Sequence, residues 1–286
     1  MKHSYLKYIL GLLLFGSNGI VASYIDLSSY EIVLLRTLIG SLLLIAIFFL
    51  KKEQLTFFKH KKQFLFLFVS GAAMGTSWIF LYEAYSQIGV SISSLLYYCG
   101  PVIVMALSPL LFKEKMTVSK VVAFVAVLCG VFLINGSALG EGNTFGIVCG
   151  IMSAVMYAFM VIFNKKAENI TGLENAMMQL FISFLTVAVF VGIKQGYTIH
   201  IDSSDIAPVF ILGLLNTGIG CYLYFSSVGK LPVQTVAICG YLEPLSAVIF
   251  SVIILNEHML LQQIIGAVLI IGGAVFVECY SRKQMR

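Results

Sequence analysis

Apolar residues run along this chain in ten blocks separated by short polar stretches, at about 5–24, 30–50, 64–86, 91–112, 118–136, 145–163, 175–193, 206–228, 234–255 and 261–280. A bilayer span needs about 20 apolar residues, so each block is read as one membrane-crossing helix. The punctuation between them has turn chemistry: Asp-Leu-Ser-Ser at 26–29, Gly-Glu-Gly-Asn at 140–143 and Asp-Ser-Ser-Asp at 202–205. The pattern predicts an all-α polytopic membrane protein with ten transmembrane helices and short loops.

Composition agrees. Of 286 residues, 59% are hydrophobic and 11% are charged, against about 25% charged in a soluble domain. This excludes a soluble globular domain, a disordered chain and a secreted disulfide scaffold. The six cysteines (Cys99, Cys129, Cys149, Cys221, Cys239, Cys279) lie inside apolar blocks without metal-ligand spacing and are read as small core residues. Lys2, Lys7 and the first block fit a signal peptide, but no small-x-small cleavage site precedes a soluble domain, so 1–24 is read as a span.

The charges orient the chain. With the N-terminus inside, cations at 2, 7, 51, 52, 59, 61, 62, 113, 115, 120, 165, 166, 230, 282, 283 and 286 are cytoplasmic. Lys194 alone faces outward, and Arg36 alone lies within a span. Asp26, Glu141, Asp202, Asp205 and Glu257 fall in outer loops, and ten spans return the C-terminus inside. The expected location is the plasma membrane of a bacterial cell. Nucleic-acid binding is excluded, because no soluble surface carries the basic clusters.

An offset of 143 residues aligns the chain with itself: Val90 with Val233, Tyr98 with Tyr241, Pro101 with Pro244, Ser108 with Ser251, Glu114 with Glu257 and Gly130 with Gly273. Apolar matches are cheap in this composition, but the chain has only five prolines, so the shared Pro-x12-Glu spacing is informative. Residues 1–140 and 141–286 are therefore read as two five-helix repeats. An odd number of spans inserts the second repeat upside down, the mark of alternating-access carriers with a site near mid-membrane.

The stretch Ile79–Glu114, with Ile-Phe-Leu-Tyr-Glu-Ala-Tyr and Leu-Leu-Tyr-Tyr-Cys-Gly-Pro-Val, resembles the first EamA unit of the drug/metabolite transporter superfamily. Tyr222–Gly273, with Gly-Tyr-Leu-Glu-Pro-Leu and Leu-Asn-Glu-His, resembles the second. The resemblance covers nearly the whole chain. It implies a ten-helix carrier of small organic solutes, usually directed outward, with a central cavity walled by both halves. It does not imply which solute.

Ionisable groups inside the membrane are the sharpest candidates, since a charge at the bilayer centre costs about 2.5–3.5 kcal/mol on insertion scales. Glu243 is near the centre of the ninth span, Arg36 roughly 6 Å from the centre of the second, and Glu83 roughly 12 Å from the centre of the third. Glu243 is read as a substrate or proton site, or as a carboxylate bonding backbone beside Pro244. Arg36 is a clamp between spans, a partner for a substrate carboxylate or an ion-pair partner of Glu243. Glu83 either joins the site or snorkels to the outer interface.

Trp78, Tyr82, Tyr97, Tyr98, Tyr222, Tyr224 and Tyr241 are candidates for holding an organic cation or stacking on a ring, or for packing. Asn18 and Asn216 suit substrate contact or interhelical bonding. Pro101 and Pro244 free the carbonyls of Tyr97 and Gly240 and are read as hinges beside the site, or as static kinks. Gly71, Ala72, Gly75, Gly213, Gly218 and Gly220 are read as close helix contacts. Glu114 and Glu257 fall at membrane faces and suit the N-termini of the spans that follow them.

The four histidines lie in loops or tails, without an HExxH pair, and no P-loop is present, so neither enzyme chemistry nor ATP coupling is expected. The resulting expectation is a secondary transporter, an exporter with proton coupling, with an uncoupled facilitator or exchanger as the alternative and an intramembrane enzyme as a remote one. No cofactor or metal is expected. The partners are a small organic solute, the lipid bilayer, protons in the coupled reading, and a second copy in a homodimer.

Overall fold

Among the described residues, eleven α-helices, one π-helix and one 3₁₀ turn follow from the apolar blocks. A computed structural model describes residues 2–100, 103, 104, 107, 121, 122, 125, 126, 129, 130, 133, 143–197, 199–228 and 242–284. In chain order the helices are α1 (Lys2–Gly16), α2 (Asn18–Ala22), α3 (Ser29–Leu50), α4 (Lys61–Ile88) and α5 (Val90–Tyr97), with the 3₁₀ turn Phe57–Lys59 before α4. Then come α6 (Thr144–Lys166), α7 (Gly172–Lys194), α8 (Ser203–Phe210), the π-helix Ile211–Ile219, α9 (Gly220–Val228), α10 (Leu242–Ile254) and α11 (Leu261–Gln284).

Among the described residues, six helical stretches are long and apolar enough to cross a membrane: Ser4–Ala22, Ser29–Leu50, Lys61–Ile88, Thr144–Lys166, Gly172–Lys194 and Ser203–Tyr224. Leu245–Ile254 and Leu261–Gly273 are shorter apolar helices. Most of the expected span at 118–136 and most of the second half of 91–112 lie outside the described residues.

Local chemistry sets several boundaries. Ser28 caps α3: its hydroxyl accepts from the Glu31 amide at 3.3 Å, while the Glu31 carboxylate accepts from the Ser28 amide at 2.9 Å. Gly89, at φ 78° and ψ 167°, separates α4 from α5 with a backbone conformation essentially reserved for glycine. The first span breaks at Ser17. Asn216 of the π-helix donates to the Leu14 carbonyl at 2.7 Å and to Ser17 Oγ at 2.9 Å, so the break stays bonded inside the bundle.

The two halves interleave. Helix α4 packs along α6 and α7, α3 lies against α7 and the π-helix, α1 against α9 and α10, and α5 against α10. Small residues make these approaches possible. A Cβ at Gly71 would stand 2.8 Å from Ile182 Cβ, and one at Gly213 would stand 2.7 Å from Ile39 Cβ. Gly75, Gly218 and Gly220 are equally tight.

Two expectations need correction. Glu257 does not serve the span that follows it. Its carboxylate accepts from the amides of Val90 at 2.8 Å and Ser91 at 2.9 Å and from Ser91 Oγ at 2.6 Å, capping α5 in the other half. The start of α11 is served instead by Gln263, whose Oε1 accepts from the Leu260 amide at 2.8 Å. Antiparallel packing of α5 on α10 brings an uncapped helix start beside the loop after α10, and a carboxylate there meets two orphan amides at once. Cys149 and Cys221 are buried as expected, but Cys129 is exposed. Glu114 lies outside the described residues.

Candidate functional site

Among the described residues Arg36 is the largest of the fully buried side chains, 1% exposed. Its position at mid-α3 points it between α1–α2, α4 and the π-helix. Nε donates to Thr217 Oγ1 at 2.9 Å, Nη1 donates to the Tyr82 hydroxyl, and Nη2 donates to Asn18 Oδ1 at 3.4 Å. The guanidinium carbon lies 4.4 Å from the Trp78 ring centroid and 4.9 Å from that of Tyr82. Planar, weakly hydrated guanidinium suits such a site, because ring faces supply negative potential where no carboxylate touches it. Thr217 in turn donates to the Leu212 carbonyl at 2.8 Å, five residues back in the π-helix.

Beside this cluster lies a small cavity. Phe15 and Asn18 from the first span, Arg36 of α3, Trp78, Leu81 and Tyr85 of α4, Ser94, Tyr97 and Tyr98 at α5, and Glu243 with Ala247 of α10 line it. Its volume of about 20 Å³ has room for about one water. Glu243 sits in the first turn of α10, half-buried, with the Tyr98 hydroxyl beside its carboxylate. Arg36 and Glu243 share the cavity, but the hydrogen bonds of Arg36 go to neutral groups, so they are not an ion pair in this conformation.

The structure thus brings together Arg36, Trp78, Tyr82, Tyr98, Asn18 and Glu243. It places three other candidates elsewhere. Asn216 is spent on the break after α1. Tyr222 accepts from Lys51 Nζ at 2.6 Å, with that ammonium 4.6 Å from its ring centroid, at the end of α3. Glu83 lies in a separate cavity between α3, α4, α6 and α7. Pro244 stands in the first turn of α10 as described, while Gly240, Pro101 and Tyr241 lie outside the described residues.

Sequence reasoning missed Phe15, Tyr85, Ser94 and Thr217. Tyr85 was legible, since Trp78, Tyr82 and Tyr85 follow i, i+4, i+7 spacing and share one helix face. Thr217 was not, because its role depends on the π-helical register.

Comparison with known proteins agrees with this architecture. The sequence model of the EamA-like transporter family matches twice, at residues 3–136 and 144–279. The uncharacterized transporter YxxF of Bacillus subtilis (strain 168) is 25% identical, covering 94% of this chain and 87% of its own. The uncharacterized transporter YetK of the same organism is 28% identical over 87% of this chain and 78% of its own. Protein PecM of Dickeya dadantii (strain 3937) is 23% identical over 76% of each. A crystal structure with 16% identity superposes at a TM-score of 0.69, covering 98% of both chains, which supports the fold.

Proposed function

The chain belongs to the EamA-like transporter family, and on that premise we propose that it carries a small organic metabolite or drug across the cytoplasmic membrane by alternating access, as a proton-coupled exporter. In this reading ten helices form two inverted five-helix repeats, 1–140 and 141–286, with both termini cytoplasmic. The observation that carries the proposal is the cavity that holds Arg36 and Glu243 together. Residues of both matched segments line it, and charged groups inside a bundle mark substrate and proton pathways.

The roles follow from what each group has left to offer. Arg36 is committed to three protein partners and a pair of rings, so it braces the wall. Glu243 has one tyrosine hydroxyl on it and retains acceptor capacity toward the cavity. It is the group that takes a proton or a substrate cation. With room for about one water, the present conformation is closed around the site, and an organic solute enters only when α10 and α5 separate from α4.

The test is flux in reconstituted vesicles with and without a pH gradient, across a radiolabelled panel of amino acids, amines and nucleosides. Wild type is expected to concentrate one class against its gradient when a proton gradient is imposed. Glu243→Gln is expected to abolish that accumulation while leaving downhill exchange. Gradient-driven accumulation that survives in both Glu243→Gln and Glu83→Gln would remove the carboxylates from the coupling step. Saturable flux indifferent to the proton gradient in wild type would establish the uncoupled facilitator instead.

A further inference from the structure

Among the described residues, one membrane-depth carboxylate outside the central cavity remains without a function. Glu83, five residues before the end of α4, receives hydrogen bonds from Ser29 Oγ and from Gln87 Nε2 at 3.1 Å, with the Tyr30 hydroxyl close by. These groups are all neutral, and among the described residues no cation pairs with Glu83. A cavity of about 150 Å³ opens beside it, close to the size of an apolar cavity that accepts benzene.

The chemistry of this cavity is graded along α4. Glu83 and Tyr30 stand at one end, which the topology of the proposed function places toward the outer leaflet. Thr76 lies seven residues deeper, roughly 10 Å along α4. The Thr76 and Thr186 hydroxyls donate to their own helices, at the Ala72 carbonyl (2.9 Å) and the Ile182 carbonyl (2.9 Å), and offer no free donor to a ligand. Phe80, Phe145 and Phe190, with Ile79 and Cys149, complete the wall, and the Tyr30 and Phe190 rings are 5.4 Å apart.

We propose that this crevice is a second binding site, distinct from the central cavity, for a single-ring organic amine partitioned in the outer leaflet. Its ammonium sits on Glu83, where it supplies the missing positive charge, and its ring lies among Phe80, Phe145 and Phe190. An amphipathic amine in a bilayer already holds its charge at the interface and its ring below, so the crevice receives it without reorientation. Aromatic faces add attraction for the cation end. The volume admits one ring and excludes a two-chain lipid.

The experiment is equilibrium binding to the full chain in phosphatidylcholine nanodiscs, read by fluorine NMR with 2-(4-fluorophenyl)ethylammonium. Saturable binding is expected in wild type, and the uncharged analogue 2-(4-fluorophenyl)ethanol is expected to bind at least roughly tenfold more weakly. Glu83→Gln is expected to cost a similar factor. Thr186→Phe, which fills the crevice and leaves the carboxylate intact, is expected to abolish binding. Equal binding of amine and alcohol, or wild-type binding in Glu83→Gln or Thr186→Phe, would overturn the proposal. So would displacement by phosphatidylethanolamine, which would give the site to a lipid headgroup. Binding is measured without flux, so its failure leaves the transport reading standing, and the reverse also holds.

Discussion

At the scale of single residues, Arg36 shows how a full charge is kept inside an apolar bundle. Three neutral acceptors and two ring faces spread its charge, and each acceptor comes from a different part of the chain. Removing the guanidinium leaves Thr217, Tyr82 and Asn18 with unmet polar atoms, so Arg36→Ala is expected to lower unfolding free energy by about 3 kcal/mol. Arg36→Lys keeps the charge but not the planar fork, and is expected to recover less than half of that loss. Denaturant titration in mixed micelles measures both. Full recovery by lysine would mean that charge alone, not geometry, holds this wall.

At the scale of elements, the junction of α4 and α5 depends on one glycine and one distant carboxylate. Gly89 has a backbone conformation that costs other residues about 1–3 kcal/mol, and a Cβ there would stand 2.9 Å from Glu257 Oε1. Gly89→Ala is therefore expected to destabilise by at least that amount. Glu257→Gln retains the shape but weakens three charge-assisted bonds, with an expected loss of about 2 kcal/mol. The two effects share one contact, so the double variant is expected to lose less than the sum. Additive losses in thermal denaturation would show that glycine and carboxylate act independently.

At the scale of the whole molecule, the matched segments are not two separate bundles. Helix α4 packs on α6 and α7, while α1 packs on α9 and α10, so each half is completed by the other. Residues 1–140 and 141–286 expressed as separate chains are expected to assemble only when made together, as judged by co-purification and a single thermal transition. A stable, monodisperse 1–140 fragment would contradict this. Orientation belongs to the same scale: cysteine labelling is expected to place 51–62 and 113–120 on the cytoplasmic side and Lys194 outside. Opposite sides for the first two segments would break the inverted repeat.

Much of this was readable one residue at a time. Block lengths set the helices, since the cost of placing a polar residue in lipid is local and additive, and 64–86 became Lys61–Ile88 with little change. The 143-residue register marked two units, and the scarcity of charge singled out Arg36 and Glu243 before their cavity was known. Partner choice was not readable. That Glu257 caps α5, that Asn216 serves the break after α1, that Tyr222 meets Lys51 and that Glu83 has a crevice of its own are contacts between helices, three of them joining residues more than 160 positions apart. Hydropathy determines that a helix must be in the membrane. Only the packing of one helix on another decides which way its few polar groups face, because each takes the nearest partner that relieves it of an unmet hydrogen bond.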